Sequence, residues 1–223
     1  MRTVKGIFLD FYGTAVEEDG KQIHDVIQKM ICGGAQGGSE EIGMFWCKRF
    51  SELTDHAYGN AFMTQRAIEF QAISDTLARF GATGDAAALA EILFARWRQA
   101  PAFEDTECFL QQSPAPVYVV SNIDRSDVEA AIRFNKLSVA GVFTSEDARS
   151  YKPRSELFEL ALRETRLEPA EVVHIGDSLK SDIGGAGALN IRTVWINREG
   201  EPAPEDVVSV STLTEVLKLE YFQ

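Results

Sequence analysis

Residues 4–14 read Val-Lys-Gly-Ile-Phe-Leu-Asp-Phe-Tyr-Gly-Thr. The first six are apolar except Lys5 and Gly6, and the run ends at Asp10. A short apolar run of this kind is typical of a strand that is buried on both faces of a parallel sheet. Because ligands of such sheets bind beyond the carboxyl ends of the strands, Asp10 stands where a functional residue is expected.

Four further apolar runs have the same character, and helical patterns lie between them. The runs are Val117–Val120, Val142–Thr144, Val172–Ile175 and Thr193–Ile196. This alternation predicts an α/β fold with a Rossmann-like, parallel, five-stranded sheet.

More than 100 residues separate the first two predicted strands, which is far more than one crossover helix needs. Apolar residues in this stretch recur at the spacing of a helix face, as in Ile23, Val26, Ile27 and Met30. The expected N-caps of the later helices are Ser39, Thr64 and Asp85, and Gly81 is expected to end the third helix. We therefore predict a core domain of residues 1–14 and 104–220, with an all-helical cap domain inserted at residues 15–103.

Composition narrows the classes of partner and the location. The chain has 223 residues, of which 45% are hydrophobic and 25% charged, and a formal net charge of −12. Nucleic acids and anionic membranes bind proteins through clustered Lys and Arg. Because this chain is strongly acidic, we expect neither as a partner. The three cysteines form no Cys-x-x-Cys pair, and the N-terminus lacks the long apolar core of a signal peptide. We expect a cytoplasmic protein with a small-molecule substrate.

Polar residues follow the predicted strands at the points where the strands end. Each of them alone is commonly a turn residue or a helix cap. Their joint placement at one edge of a parallel sheet instead indicates a site. The set comprises Asp10, Ser121-Asn122, Lys152-Pro153, Gly176-Asp177-Ser178 and Asp182.

These segments resemble the four motifs of the haloacid dehalogenase-like (HAD) hydrolase superfamily, in the group whose helical cap follows the first strand. The matching segments are Phe8–Thr14, Val119–Asn122, Ser145–Pro153 and His174–Asp182. The resemblance implies that Asp10 is a nucleophile that forms an aspartyl intermediate. It implies that the Ser121 hydroxyl and the Asn122 backbone N–H hold the transferring group, and that Lys152 keeps Asp10 ionised.

The resemblance also implies a Mg²⁺ ion held by Asp10, the backbone carbonyl of Tyr12 and Asp177, with Asp182 acting directly or through water. Without a cation, the three carboxylates and Lys152 would carry a net charge of −2 and would repel an anionic substrate. Hard oxygen ligands suit Mg²⁺. The favoured interpretation is therefore a Mg²⁺-dependent hydrolase of a small phosphorylated metabolite.

One position departs from the phosphatase pattern of the family. Family phosphatases usually carry a second Asp two residues after the nucleophile as general acid, where this chain has Tyr12. Tyrosine is the weaker acid, with an ordinary pKa of ~10 against ~3.9 for aspartate, so hydrolysis should be slow or limited to good leaving groups.

The 2-haloacid dehalogenases of the family carry Asp-x-Tyr-Gly-Thr and need neither an acid nor a metal, which makes dehalogenation the alternative. They tend to replace the Gly-Asp pair that this chain retains at Gly176-Asp177.

Two further alternatives stay open. Phosphonate-cleaving relatives use a cap lysine, for which Lys21, Lys29 and Lys48 are the candidates. A catalytically idle relative would bind a metabolite without turnover. We expect His174, inside the fourth strand, to pack or bond within the core, and a homodimer is compatible with the family.

Overall fold

One parallel sheet organises the protein, whose computed structural model describes residues 4–18 and 20–220. Its strands are β1 (Gly6–Leu9), β2 (Val117–Ser121), β3 (Gly141–Thr144), β4 (Val172–Gly176), β5 (Arg192–Ile196) and β6 (Ser209–Val210). The spatial order is β3-β2-β1-β4-β5-β6, and every neighbouring pair is parallel. The predicted α/β class is confirmed, and β1 lies between β2 and β4, where the order of strands reverses.

The predicted number of five strands is wrong, because the sheet has a sixth. Strand β6 has two half-buried residues, Ser209 and Val210, and pairs with Trp195 and Ile196 of β5. A strand this short contains no apolar run, so the pattern that identified the other five strands is missing.

Four long helices lie between β1 and the return of the chain to the sheet. They are α1 (Gly20–Cys32), α2 (Ser39–His56), α3 (Gln65–Phe80) and α4 (Ala86–Arg98). The later helices are α5 (Thr106–Gln112), α6 (Arg125–Asn135), α7 (Ser145–Ala148), α8 (Glu156–Thr165), α9 (Gly185–Gly187) and α10 (Leu213–Val216). Short 3₁₀ turns span Gly59–Ala61 and Pro169–Glu171, and a π-helical segment spans Leu179–Gly184. The inserted helical cap is confirmed, whereas its exact limits at residues 15 and 103 stay a prediction.

Local signals placed the ends of two cap helices. The side chains of Thr64 and Asp85 accept backbone N–H groups in the first turns of α3 and α4, and Gly81 ends α3 in the left-handed conformation at φ 65°. The predicted N-cap at Ser39 is wrong, because α2 begins at that residue and Gly38 is its N-cap.

Among the residues that the structure describes, none of the helices combines the length and the apolar character that spanning a membrane requires.

The two chain segments that join cap and core run side by side. Val16 forms bridges to both Tyr12 and Ala102, and the N–H of Glu17 donates to the carbonyl of Pro101 at 2.9 Å. The two covalent connections between cap and core are therefore paired with each other.

A second attachment joins α3 to the segment after β2. The Asp124 carboxylate accepts the backbone N–H groups of Gln65 and Arg66 at 2.8 and 3.0 Å. The Arg66 guanidinium donates two hydrogen bonds, both of 2.6 Å, to Asp127, which is fully buried. These contacts fix the start of α3 against the sheet edge that carries the polar strand ends.

We expect Arg66→Met to lower the free energy of unfolding by about 3 kcal/mol, because it leaves the buried Asp127 carboxylate without its bidentate partner. Urea denaturation measures this loss. The control is Arg49→Met, which breaks the more exposed pair with Asp75 and should cost no more than about 1 kcal/mol. Equal losses in the two variants would contradict a structural role for the Arg66–Asp127 pair.

Candidate active site

Three carboxylates meet at the carboxyl edge of the sheet. Asp10 follows β1, Asp177 follows β4, and Asp182 lies in the π-helical segment. One oxygen atom from each lies within 4.8 Å of the others. The sequence therefore placed these three residues correctly at one edge.

Two glycines make this close approach possible. A Cβ atom at Gly176 would lie 2.3 Å from Cγ of Asp182, and one at Gly13 would lie 2.6 Å from Oδ2 of Asp177. Gly13 also has a φ of +85°, which disfavours other residues. Any larger residue at either position would displace a carboxylate.

Lys152 bridges the nucleophile candidate and Asp182. Its Nζ atom donates to Oδ1 of Asp10 at 2.6 Å, to Oδ1 of Asp182 at 2.7 Å and to the carbonyl of Val120 at 2.9 Å. The residue is 4% exposed. All three donor hydrogens of the ammonium group thus have acceptors, and the lysine is held in one position.

Asp182 has a further partner that sequence reasoning did not assign to the site. Nε2 of the fully buried His174 lies 2.9 Å from Oδ1 of Asp182, while Oδ2 accepts the N–H of Ser178 at 3.1 Å. The expectation that His174 bonds within the core is correct, but its partner belongs to the acidic cluster. The position of His174 in β4 indicates this contact. His174 and Gly176 lie two residues apart and therefore face the same side of the sheet, and Asp182 lies against Gly176.

The side chain of Asn122 holds the backbone of Lys152. The N–H of Lys152 donates to Oδ1 of Asn122 at 2.8 Å, and Nδ2 of Asn122 donates to the carbonyl of Lys152 at 3.2 Å. Ser121, immediately before it, is buried, and its Oγ accepts the N–H of Ile123 at 3.2 Å. The Asn122 amide therefore positions Lys152, a role that the motif alone did not predict.

The Tyr12 hydroxyl is directed at the cap. It donates to the carbonyl of Trp97 at 2.9 Å, near the end of α4. A phenol has a single proton, so this hydrogen bond uses the group that leaving-group protonation would need. Tyr12 thus connects the loop after β1 to the cap.

A cavity of about 350 Å³ lies between the sheet edge and the cap. From the core, its lining includes Asp10, Ser121, Asn122, Lys152, Asp177 and Asp182. From the segment between β1 and β2, it includes Tyr12, Glu18, Trp46, Phe50, Glu69 and Trp97.

Lys21, Lys29 and Lys48 are exposed and are not among the described lining residues, so their positions give the phosphonate alternative no support.

The protonation of the cluster follows from burial and from neighbouring charges. Burial raises the pKa of Asp177 to about 8, and the charges of Asp10 and Asp182 act in the same direction. Burial also raises the pKa of Asp10, which Lys152 opposes. Burial alone would raise the pKa of Asp182, but Lys152 and His174 hold it below its ordinary value. Burial by itself would lower the pKa of Lys152, yet Asp10 and Asp182 raise it, so the lysine stays charged.

A family model described as haloacid dehalogenase-like hydrolase matches residues 4–190. The chain belongs to this family. It is 24% identical over 209 residues to (S)-2-haloacid dehalogenase 4A of Burkholderia cepacia, covering 90% of this chain and 86% of that protein. It is 27% identical over 173 residues to ribulose-1,5-bisphosphate 5-phosphatase of Halopiger xanaduensis, covering 73% and 70%.

Structural similarity extends over the whole HAD fold. The L-2-haloacid dehalogenase of Xanthobacter autotrophicus superposes with a TM-score of 0.76 at 20% identity, covering 97% of this chain and 98% of that one. At this level of identity the likeness establishes the fold, including the helical cap. The reaction has to be inferred from the residues of the site.

We expect the metal-free protein to lose stability as the pH rises from 6 to 8. The folded protein binds a proton at Asp177 in this range and the unfolded chain does not, because an unperturbed Asp has a pKa of ~3.9. One such proton gives a slope of up to about 1.4 kcal/mol per pH unit. Asp177→Asn should flatten that slope in denaturation experiments with EDTA. Parallel pH profiles for the variant and the wild type would contradict a raised pKa at Asp177.

Proposed function

We propose that the protein is a Mg²⁺-dependent phosphohydrolase of a small phosphate monoester, acting through an aspartyl-phosphate at Asp10. The observation that carries the proposal is the third carboxylate. Asp177 lies beside Asp10 and Asp182, with Lys152 as the one lysine of the cluster. A catalyst that used only a nucleophilic Asp and its lysine would gain nothing from an additional buried carboxylate, whereas a cation-binding site requires it.

The two oxygens of Asp10 have different surroundings. Oδ1 accepts from Lys152, whereas Oδ2 makes no hydrogen bond within residues 4–18 and 20–220. Oδ2 is therefore the oxygen that attacks phosphorus. The bond from phosphorus to the ester oxygen breaks, and that oxygen departs with the electron pair as an alkoxide or phenoxide, which takes its proton from water. Water then hydrolyses the acyl phosphate and regenerates the Asp10 carboxylate.

Residues at the carboxyl end of β2 complete the phosphoryl site. The Ser121 hydroxyl and the Asn122 backbone N–H donate to the phosphoryl oxygens. Lys152 stabilises the charge that develops there, in a position fixed in advance by Asp10 and Asp182.

The donor set fits a hard divalent cation. Asp10, Asp177 and the Tyr12 carbonyl would hold Mg²⁺. Asp182 already accepts hydrogen bonds from Lys152, His174 and Ser178, so it would act through water. When bound, Mg²⁺ supplies positive charge against the phosphoryl oxygens.

Dehalogenation is the second candidate, and the comparisons support it better than they support the phosphatase proposal. A 2-haloacid dehalogenase matches more of this chain than the phosphatase does. Halide leaves without a proton, which suits a site where the Tyr12 hydroxyl is bonded to the cap. The charge of the cavity opposes it: a 2-haloacid is a carboxylate, and Lys152 is the only cation among the described lining residues.

We expect the wild-type protein to hydrolyse p-nitrophenyl phosphate with Mg²⁺ and to lose this activity in EDTA. Asp10→Asn should lower kcat at least about 1000-fold, because the amide is a poor nucleophile. Asp206→Asn, at an exposed position, is the control and should keep full activity. Halide release from 2-chloropropionate in EDTA, without phosphatase activity, would establish the second candidate instead.

Tyr12→Asp tests the missing general acid. The variant places a carboxyl group at a position that lines the cavity, and a general acid contributes roughly 100-fold or more. We expect kcat for propyl phosphate, a poor leaving group, to rise at least about 10-fold relative to kcat for p-nitrophenyl phosphate. Tyr12→Phe, which adds no acid, should leave this ratio unchanged. A fall of the ratio in Tyr12→Asp would contradict the argument.

A further inference from the structure

Arg198, two residues after the end of β5, holds the loop that follows β1. Its Nη2 atom donates to the carbonyl of Thr14 at 2.7 Å, and its guanidinium forms two hydrogen bonds, of 3.1 and 3.2 Å, with the carboxylate of Asp105. Its Cζ atom lies 3.8 Å from the centre of the Phe103 ring. Arg198 lies outside the four motif segments of the sequence, so the motifs assign it no role.

The partner of Arg198 is itself anchored. Oδ2 of Asp105 also accepts the N–H of Leu213, at the start of α10, at 2.6 Å. The side chains of Arg198 and Asp105 are only 19% and 13% exposed. A paired guanidinium and carboxylate fix each other's orientation, so Arg198 presents its donor to Thr14 from one defined position.

Thr14 connects this donor to the carboxylate cluster. It is fully buried, and its Oγ1 atom donates to Oδ1 of Asp177 at 3.0 Å. Because the carbonyl that Arg198 holds and the hydroxyl that holds Asp177 belong to one residue, the backbone at Thr14 sets the direction of that hydroxyl. Nε1 of Trp195, in β5, donates to the carbonyl of Asp177 at 2.6 Å. Residues of β5 and of the segment after it therefore support both the backbone and the side chain of Asp177.

The clustered carboxylates need this kind of support. One oxygen atom from each of Asp10, Asp177 and Asp182 lies within 4.8 Å of the others, and like charges this close repel each other. A divalent cation has to collect its oxygen ligands at fixed distances. A carboxylate that is already held in place loses less freedom when the cation binds. Hydrogen bonds to the ligating carboxylates therefore contribute to metal affinity.

We propose that Arg198 is a positioning residue of the cation site, which acts on Asp177 through the Thr14 hydroxyl. This inference rests on the proposed Mg²⁺-dependent function. The direction of the effect separates positioning from charge. A guanidinium repels a nearby cation, so removal of its charge alone would strengthen Mg²⁺ binding, whereas loss of positioning weakens it.

Calorimetric titration of the EDTA-stripped protein with Mg²⁺ alone, at one fixed pH, tests the proposal. Loss of a group that supports a metal ligand commonly lowers metal affinity about 10-fold or more. Arg198 acts one residue further away, so we expect the dissociation constant to rise at least about fivefold in Arg198→Met. Arg198→Lys keeps a donor for the Thr14 carbonyl and should stay within about twofold of the wild type.

Thr14→Val tests the second step, because valine keeps the shape of the side chain and lacks the hydroxyl. We expect its dissociation constant to rise about 10-fold. In this background, Arg198→Met should add no more than about twofold, because the connection to Asp177 is already broken. A purely structural effect of Arg198→Met would instead multiply with that of Thr14→Val. An unchanged constant in Thr14→Val would overturn the proposal, even if Arg198→Met did not fold.

The matched control is Arg125→Met. Arg125 also forms paired hydrogen bonds with an aspartate, Asp147, and it donates to a backbone carbonyl, that of Val142, at 2.8 Å. These contacts lie at the edge strand β3, which neighbours neither β1 nor β4, so Mg²⁺ binding should not change. An equal loss of affinity in Arg125→Met and Arg198→Met would overturn the proposal, because it would reflect general destabilisation.

The outcomes separate this inference from the proposed function. Mg²⁺ binding by the wild type, with equal or tighter binding in Arg198→Met, would overturn the inference and leave the proposed function standing. Absence of Mg²⁺ binding by the wild type would overturn the proposed function and the inference with it. The stoichiometry of each titration reports the fraction of folded protein, so the dissociation constants compare folded molecules.

Discussion

The buried ammonium group of Lys152 is the interaction on which the site depends. It contacts Asp10 after β1, Asp182 after β4 and the Val120 carbonyl within β2, and thereby joins three different strands. Taking a charged lysine and two carboxylates out of water is costly unless each is paired and hydrogen-bonded. Here Lys152 forms a hydrogen bond to each of the two carboxylates. The Asn122 amide holds the backbone of Lys152 in the position that these bonds require.

The segment that begins at the last residue of β2 connects the site to the cap. Within four residues, Ser121 lines the cavity, Asn122 positions Lys152, and Asp124 binds the first N–H groups of α3. Since α3 also carries Glu69, which lines the cavity, the cap side of the cavity is connected to the segment that would bind the phosphoryl group. The Tyr12 hydroxyl adds a second connection, from the loop after β1 that carries Asp10 to α4.

The net charge of −12 has little bearing on the chemistry, whereas the local charge of the cavity has a great deal. The cavity edge holds Asp10, Asp177 and Asp182 against Lys152, so an anionic group can bind there only where a cation reverses the field. This requirement is the physical basis of the proposed metal-dependent phosphatase, whereas the overall similarity of the chain favours the 2-haloacid dehalogenases.

The amino-acid pattern was sufficient to predict the α/β class, five of the six strands, the inserted helices and the strand-end residues that meet at one edge. It could do so because buried strands and helix faces leave apolar periods along the chain. It did not reveal β6, the contact of His174 with Asp182 or the hydrogen bond from Tyr12 to Trp97. Tyr12 and Trp97 are 85 residues apart, and β6 is too short to leave a pattern. His174 and Asp182 are only eight residues apart, and they meet because the chain turns back in the π-helical segment after β4. These features emerge from the three-dimensional packing, because side-chain partners are set by contacts in space and leave no period along the chain.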